Sequence, residues 1–334
     1  MTGKQLVQAA LEHRPVPRPP YSISLTERAQ AKMAAYLNDD SFGTEPIGDI
    51  VASPVIRIEY GIRDADGIYT DEFGVQWDRS QDPDIGLPKP CVTPENLDDF
   101  QWPDPDIDIR FEHLKANLAK YPDKFHLMRI DFSLYERAWA LRGLEDFLTD
   151  MVLNRSFAEA LLHRILEFNL KVIDAGLTRF PEIDGVYFGD DFGTQRGVIM
   201  GEERWCQVLK PVLAKQYQRV KDWGKKVFIH SCGAVADLFP HLVQIGVDCF
   251  NPFQPEVMDI YSVKREYAGR LAFWGGISTQ QLLPFGSPDE VRAELKRLKE
   301  MAMEGGYIAA PAHDIPGDAK PENIEILLEV LGTA

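Results

Sequence analysis

Two hydrophobic rhythms alternate along this chain. Stretches with apolar residues at helical spacing, such as TGKQLVQAALEH and TERAQAKMAAYL near the start, give way to short and nearly continuous apolar runs of strand type. YSISL reads as a first strand between those two helices. The alternation becomes regular from Phe125 onward. FHLMRID, GVYFGDD, VFIHSCG, VDCFNPFQ, LAFWGGIS and YIAAPAHD are strand-like, and each is followed by a helical stretch, ending with PENIEILLEVLG. LYERAWALRGLEDFLTDMVL reads as one helix and FAEALLHRILEFNLKVIDAGL as the next. Strands that alternate with helices pair in parallel through crossover helices.

The repeat continues past five units without a GxGxxG turn, which favours a (β/α)8 TIM barrel over a doubly wound sheet. One barrel domain then spans residues 1–334. Residues 45–105 break the rhythm with Val, Ile, Tyr and Gly and then with a proline-rich acidic stretch. They are expected to form a strand-rich insertion or lid, with a short helix at TPENLDDF.

Composition narrows the range of partners. The chain carries 52 acidic against 36 basic residues, a formal net charge of −16. Nucleic acid and anionic membrane surfaces need a basic footprint and are not the expected partners. A small molecule is. Four cysteines, Cys91, Cys206, Cys232 and Cys249, show no CxxC spacing and do not make a disulfide framework. A reducing, cytoplasmic setting is the expectation. No apolar run is long enough to span a bilayer, and the N-terminus lacks the apolar core of a signal peptide.

In a barrel of this kind, reacting groups sit where the strands end. Those ends carry Asp131, Asp190, Asp191, His230, Cys232, Asn251, Gln254 and His313. His230 and Cys232 are two residues apart and so face the same side of a strand. Imidazole and thiolate are preferred zinc ligands. A lone His-x-Cys is equally a half-buried imidazole beside a cysteine packing as a small hydrophobe. His313, at the end of the last strand, changes the balance. Together with the pair it forms a three-ligand set with an open position, the pattern of a catalytic metal site.

Asp190 and Asp191 are candidate catalytic carboxylates, with an acidic helix cap as the bland alternative. Asn251, Gln254, Asp131 and Arg137 are candidate substrate contacts. Arg137 is also placed to pair with Glu136 at the mouth. Trp139, Trp274, His126, His163 and His241 read as ordinary core or surface residues.

GVYFGDDFGTQRG, VFIHSCGAV, GVDCFNPFQ, LAFWGGIS and GGYIAAPAHDIPGDAKPENI occur in this order. In that combination the chain resembles the uroporphyrinogen decarboxylase superfamily, which includes corrinoid-dependent methyltransferases. The resemblance implies a (β/α)8 barrel. Its methyltransferase branch implies zinc held by the His230–Cys232 pair and a later cysteine, at whose position this sequence has His313. It also implies methyl transfer between a small molecule and a corrinoid cofactor on a partner protein. The decarboxylase branch implies a metal-free lyase acting on a carboxylated substrate, but its paired-arginine segment is missing here. A zinc hydrolase and a non-catalytic binding barrel are further alternatives. The resemblance leaves the chain open to being a monomer or a homodimer.

Overall fold

Val, Ile and Phe dominate seven short segments, and these form a curled parallel sheet in a computed structural model. The model describes residues 1–56, 62, 63, 67–80 and 86–332. Parts of the expected lid, residues 57–61, 64–66 and 81–85, lie outside the described residues. The strands are Ile50–Ile56, Phe125–Ile130, Gly185–Gly189, Lys226–His230, Cys249–Phe253, Ala272–Ile277 and Tyr307–Pro311. Each pairs in parallel with the next in chain order.

The two outer strands are bridged by Pro20–Ile23. The Ala309 amide donates to the Pro20 carbonyl, and the Asp49 amide donates to the Tyr21 carbonyl. The first strand expected at YSISL is thus reduced to Ser22–Ile23, which pairs antiparallel with Ile47–Gly48. The architecture is the TIM-barrel type expected from the sequence.

Side chains alternate across each strand, so every strand contributes to two cores. The inner one contains Ile50, Phe125, Leu127, Tyr187, Phe228, Cys249, Ala272 and Ile308. Helix Gly3–Leu11 adds Val7, Ala10 and Leu11 to it, plugging the end where the strands begin. The larger outer core lies between the strands and the surrounding helices. No helix among the described residues is long and apolar enough to cross a membrane.

Three local expectations change. The single helix expected at LYERAWALRGLEDFLTDMVL is two, Tyr135–Arg142 and Leu144–Leu153. They part at Gly143, whose φ of 97° is natural only for glycine. TPENLDDF forms turns and no helix. Helix Glu112–Lys120 was not expected. Within 45–105, Ile62–Arg63, Ile68–Thr70, Gln76–Asp78 and Leu87–Lys89 make a four-stranded antiparallel sheet. It does not hang free: Trp77 is fully buried, its ring 5.0 Å from that of Phe132.

Candidate metal centre

The period of two along a strand decides which polar side chains reach the barrel mouth. Phe228 belongs to the inner core, so His230 and Cys232 continue its face. Ser231 points the other way. It is fully buried, and its hydroxyl accepts from the Phe192 amide. His313 arrives from the end of Tyr307–Pro311. The donor atoms of His230, Cys232 and His313 all lie within 4.8 Å of one another.

Zinc bonds of roughly 2.0–2.3 Å place two tetrahedral donors about 3.5 Å apart. His230 Nε2 and Cys232 Sγ are 3.3 Å apart. Two imidazoles and a thiolate are a fitting donor set, and three protein ligands leave a fourth position free. The residues present fit a zinc ion.

The orientation of His230 is fixed from behind. Its Nδ1 lies 2.6 Å from Asn251 Oδ1, while the Asn251 amide nitrogen donates to the Trp274 carbonyl at 2.9 Å. The Tyr187 hydroxyl also donates to Asn251 Oδ1, at 3.0 Å. Asn251 therefore presents an acceptor to His230, so Nδ1 carries a proton and Nε2 is the nitrogen turned toward Cys232 and available to a metal. Asn251, expected to touch substrate, has both ends of its amide engaged and acts as a positioning residue.

The turn after the strand is equally constrained. Asp191 Oδ1 accepts from the Cys232 amide at 2.7 Å and lies 3.7 Å from His230 Nε2. Gln254 Oε1 accepts from the Gly233 amide at 3.2 Å. Gly233 has a φ of 92°, and a Cβ there would meet the Thr194 carbonyl oxygen at 2.6 Å, so only glycine fits.

Electrostatics couples the pair. Burial opposes ionisation of the Cys232 thiol, but the His230 charge and hydrogen bonds from His230 and His313 outweigh it and bring it down to about 7. Burial also works against the His230 imidazolium, yet Cys232, Asp191 and Asn251 carry it up to about 10. Without metal the two share a proton as thiolate and imidazolium, and the thiolate is already the form that binds metal. A cavity of about 140 Å³ opens onto Cys232 and His313, lined also by Gln195, Gln254, Thr279, Gln280 and Ala312.

Two expected site residues are elsewhere. Asp190 is fully buried on the opposite strand face from Asp191. Its carboxylate accepts from the amides of Leu134, Tyr135 and Glu136 at 3.1, 3.1 and 2.7 Å, capping helix Tyr135–Arg142. Its position, expected to be catalytic, is that of a helix cap. Arg137 is also buried. It pairs with Asp71 at 2.7 Å and stacks 4.1 Å from the centre of the Phe73 ring, so it is neither a mouth residue nor a partner of Glu136. Asp131 does face the mouth, where it holds Arg129.

Sequence reading missed Arg129, Tyr187 and, as a site residue, Glu136. The strand alternation that places His230 would have found the first two. Glu136 stands near Asp191, Asp190, His230 and Asp131. Burial and then the two neighbouring aspartates push its carboxyl well above the usual range.

The sequence model of a family described as "Uroporphyrinogen decarboxylase (URO-D)" matches residues 2–333. No curated protein matches the chain. Among solved structures, a methyltransferase from Methanosarcina mazei is similar over 99% of this chain and 98% of its own, at 15% identity and a TM-score of 0.73. A GH5-4 broad specificity endoglucanase from Clostridum cellulovorans is similar over 99% of this chain and 97% of its own, at 11% identity and a TM-score of 0.43. The first likeness establishes a shared fold; the second is too loose to bear on the argument.

Proposed function

Because this chain belongs to the uroporphyrinogen decarboxylase (URO-D) family, we propose that it is an enzyme of that superfamily's methyltransferase type. In this reading it is zinc-dependent and moves a methyl group between a small molecule and a corrinoid cofactor carried by a partner protein. The observation that carries the reading is the convergence of His230 Nε2 and Cys232 Sγ from one strand end and His313 from another on one point at the mouth. The fold shared with a methyltransferase is consistent with it.

His230, Cys232 and His313 would hold the metal. When bound, zinc lowers the pKa of a coordinated thiol, or draws electron density from a leaving oxygen or nitrogen. The chain does the rest. Asn251 holds the His230 tautomer, and Asp191 anchors the Cys232 amide. Gln254 fixes the Gly233 turn. Glu136, whose carboxyl is pushed well above the usual range by burial and the neighbouring Asp191 and Asp190, is the group suited to pass a proton to a leaving oxygen or nitrogen.

The test is methyl transfer with methylcobalamin standing in for the protein-borne corrinoid and a panel of small thiols, run also in reverse with cob(I)alamin and methoxylated or methylated compounds. Turnover that stops with a chelator and returns with zinc supports the reading. Absence of transfer in both directions, with decarboxylation of a carboxylated compound by metal-free protein, would replace it with the lyase alternative.

A further inference from the structure

Arg129 is the one arginine in the seven parallel strands, and it lies on their inner face near the mouth. Phe125 and Leu127 belong to the inner core, and Arg129 is the next residue on that face. Strand pairing sets it beside Tyr187, whose hydroxyl holds the Asn251 that orients His230. Its Nε contacts the two carboxylate oxygens of Asp131 at 3.0 and 3.1 Å. Its two terminal nitrogens have no hydrogen-bond partner among the described residues, and the side chain is 37% exposed, toward the mouth.

An arginine kept only for structure, like Arg110, spends its terminal nitrogens. Arg110 Nη1 and Nη2 both bond to Glu72 and also to the Val55 and Asp104 carbonyls. Arg129 is instead anchored by its Nε and leaves its fork open. A planar pair of N–H donors matches a carboxylate, which accepts two parallel bonds. Asp131 fixes the direction of that fork, and nearby Asp314 is not bonded to it.

We propose that Arg129 binds the carboxylate of the substrate, which is therefore a small carboxylic acid with its reacting sulfur, oxygen or nitrogen at the metal cluster. The identity of the reacting end rests on the methyl-transfer reading; the carboxylate contact does not.

The experiment is calorimetric binding of 3-mercaptopropionate, its neutral amide and 3-mercaptopropanesulfonate to the zinc-loaded protein. Sulfur-free propionate and propionamide are compared in parallel by ligand-observed NMR. The carboxylate should bind about tenfold more tightly than the amide, as a charge-assisted pair in a partly buried site implies. Arg129→Gln should remove that preference, and Arg129→Lys should keep only part of it.

Equal affinity for acid and amide in the native protein would overturn the proposal without recourse to any variant, as would a preference that survives Arg129→Gln. Tighter binding of the sulfonate would overturn the assignment to carboxylic acids. If the thiols bind no better than their sulfur-free counterparts, the metal–thiol reading fails. The Arg129 proposal is then decided by the propionate and propionamide pair alone.

Discussion

Two groups of polar side chains lie on opposite sides of the barrel strands, and they differ in what they leave unfinished. Behind the strands, Asp71 accepts from the amides of Phe73 and Val75, from Trp77 Nε1 and from Arg137, while Asp190 caps a helix with three bonds. Both carboxylates are buried and satisfied. In front of the strands, Cys232 Sγ, the His313 ring and the terminal nitrogens of Arg129 face a cavity or the open mouth. The first group holds the four-stranded antiparallel sheet and a helix in place. The second has donors and acceptors to offer a ligand. One residue of strand phase separates them, as Asp190 and Asp191 show.

That comparison can be broken by substitutions that affect stability on one side and metal binding on the other. The largest expected effect is at the buried pair. Arg137→Met strands the Asp71 charge and should lower unfolding stability by about 3–5 kcal/mol in a denaturant titration. The double variant Asp71→Asn with Arg137→Met should cost less than Arg137→Met alone, because no uncompensated charge remains. Zinc content should stay that of the native chain in both. A loss of zinc there would merge the two groups.

Next comes Asn251→Leu. It removes the acceptor that fixes His230 and should weaken zinc binding roughly 10–100-fold in competition with a chelating dye. Unchanged zinc affinity would mean that the tautomer of His230 is set by something else.

A third effect is a pH dependence. Burial, opposed by the three amide donors, pushes the Asp190 carboxyl up to about 7. A carboxyl whose folded pKa exceeds its unfolded value favours folding while protonated. That contribution is lost as pH rises through the folded value. Native stability should therefore fall between about pH 5 and about pH 7.5 more than that of Asp190→Asn, measured by urea unfolding. Equal slopes would show that Asp190 is ionised throughout.

Much of the barrel was legible in the chain, because each strand after Phe125 is a short apolar run bounded by turn residues and each crossover helix has its own periodicity. The His-x-Cys pair was legible because both residues share a strand face, and His313 because it ends the last strand. Asp190 and Arg137 were misplaced for different reasons. A list of strand ends ignores phase, and phase assigns Asp190 to the helix layer. Arg137 sits on a helix and its partner, Asp71, comes from the four-stranded sheet, a contact no local pattern encodes. Arg129 went unremarked because it precedes its strand's end, although it shares a face with Asp131. Gly143 split one expected helix through a backbone angle that apolar spacing does not reveal.

The central claim is that the mouth group binds metal, and the most direct test is the zinc content, by mass spectrometry, of tag-free protein prepared without chelator and offered zinc, beside Cys232→Ser. The account predicts about one zinc per chain, lost in Cys232→Ser while the fold is retained. No zinc in the native chain, or the same amount in Cys232→Ser, would contradict it.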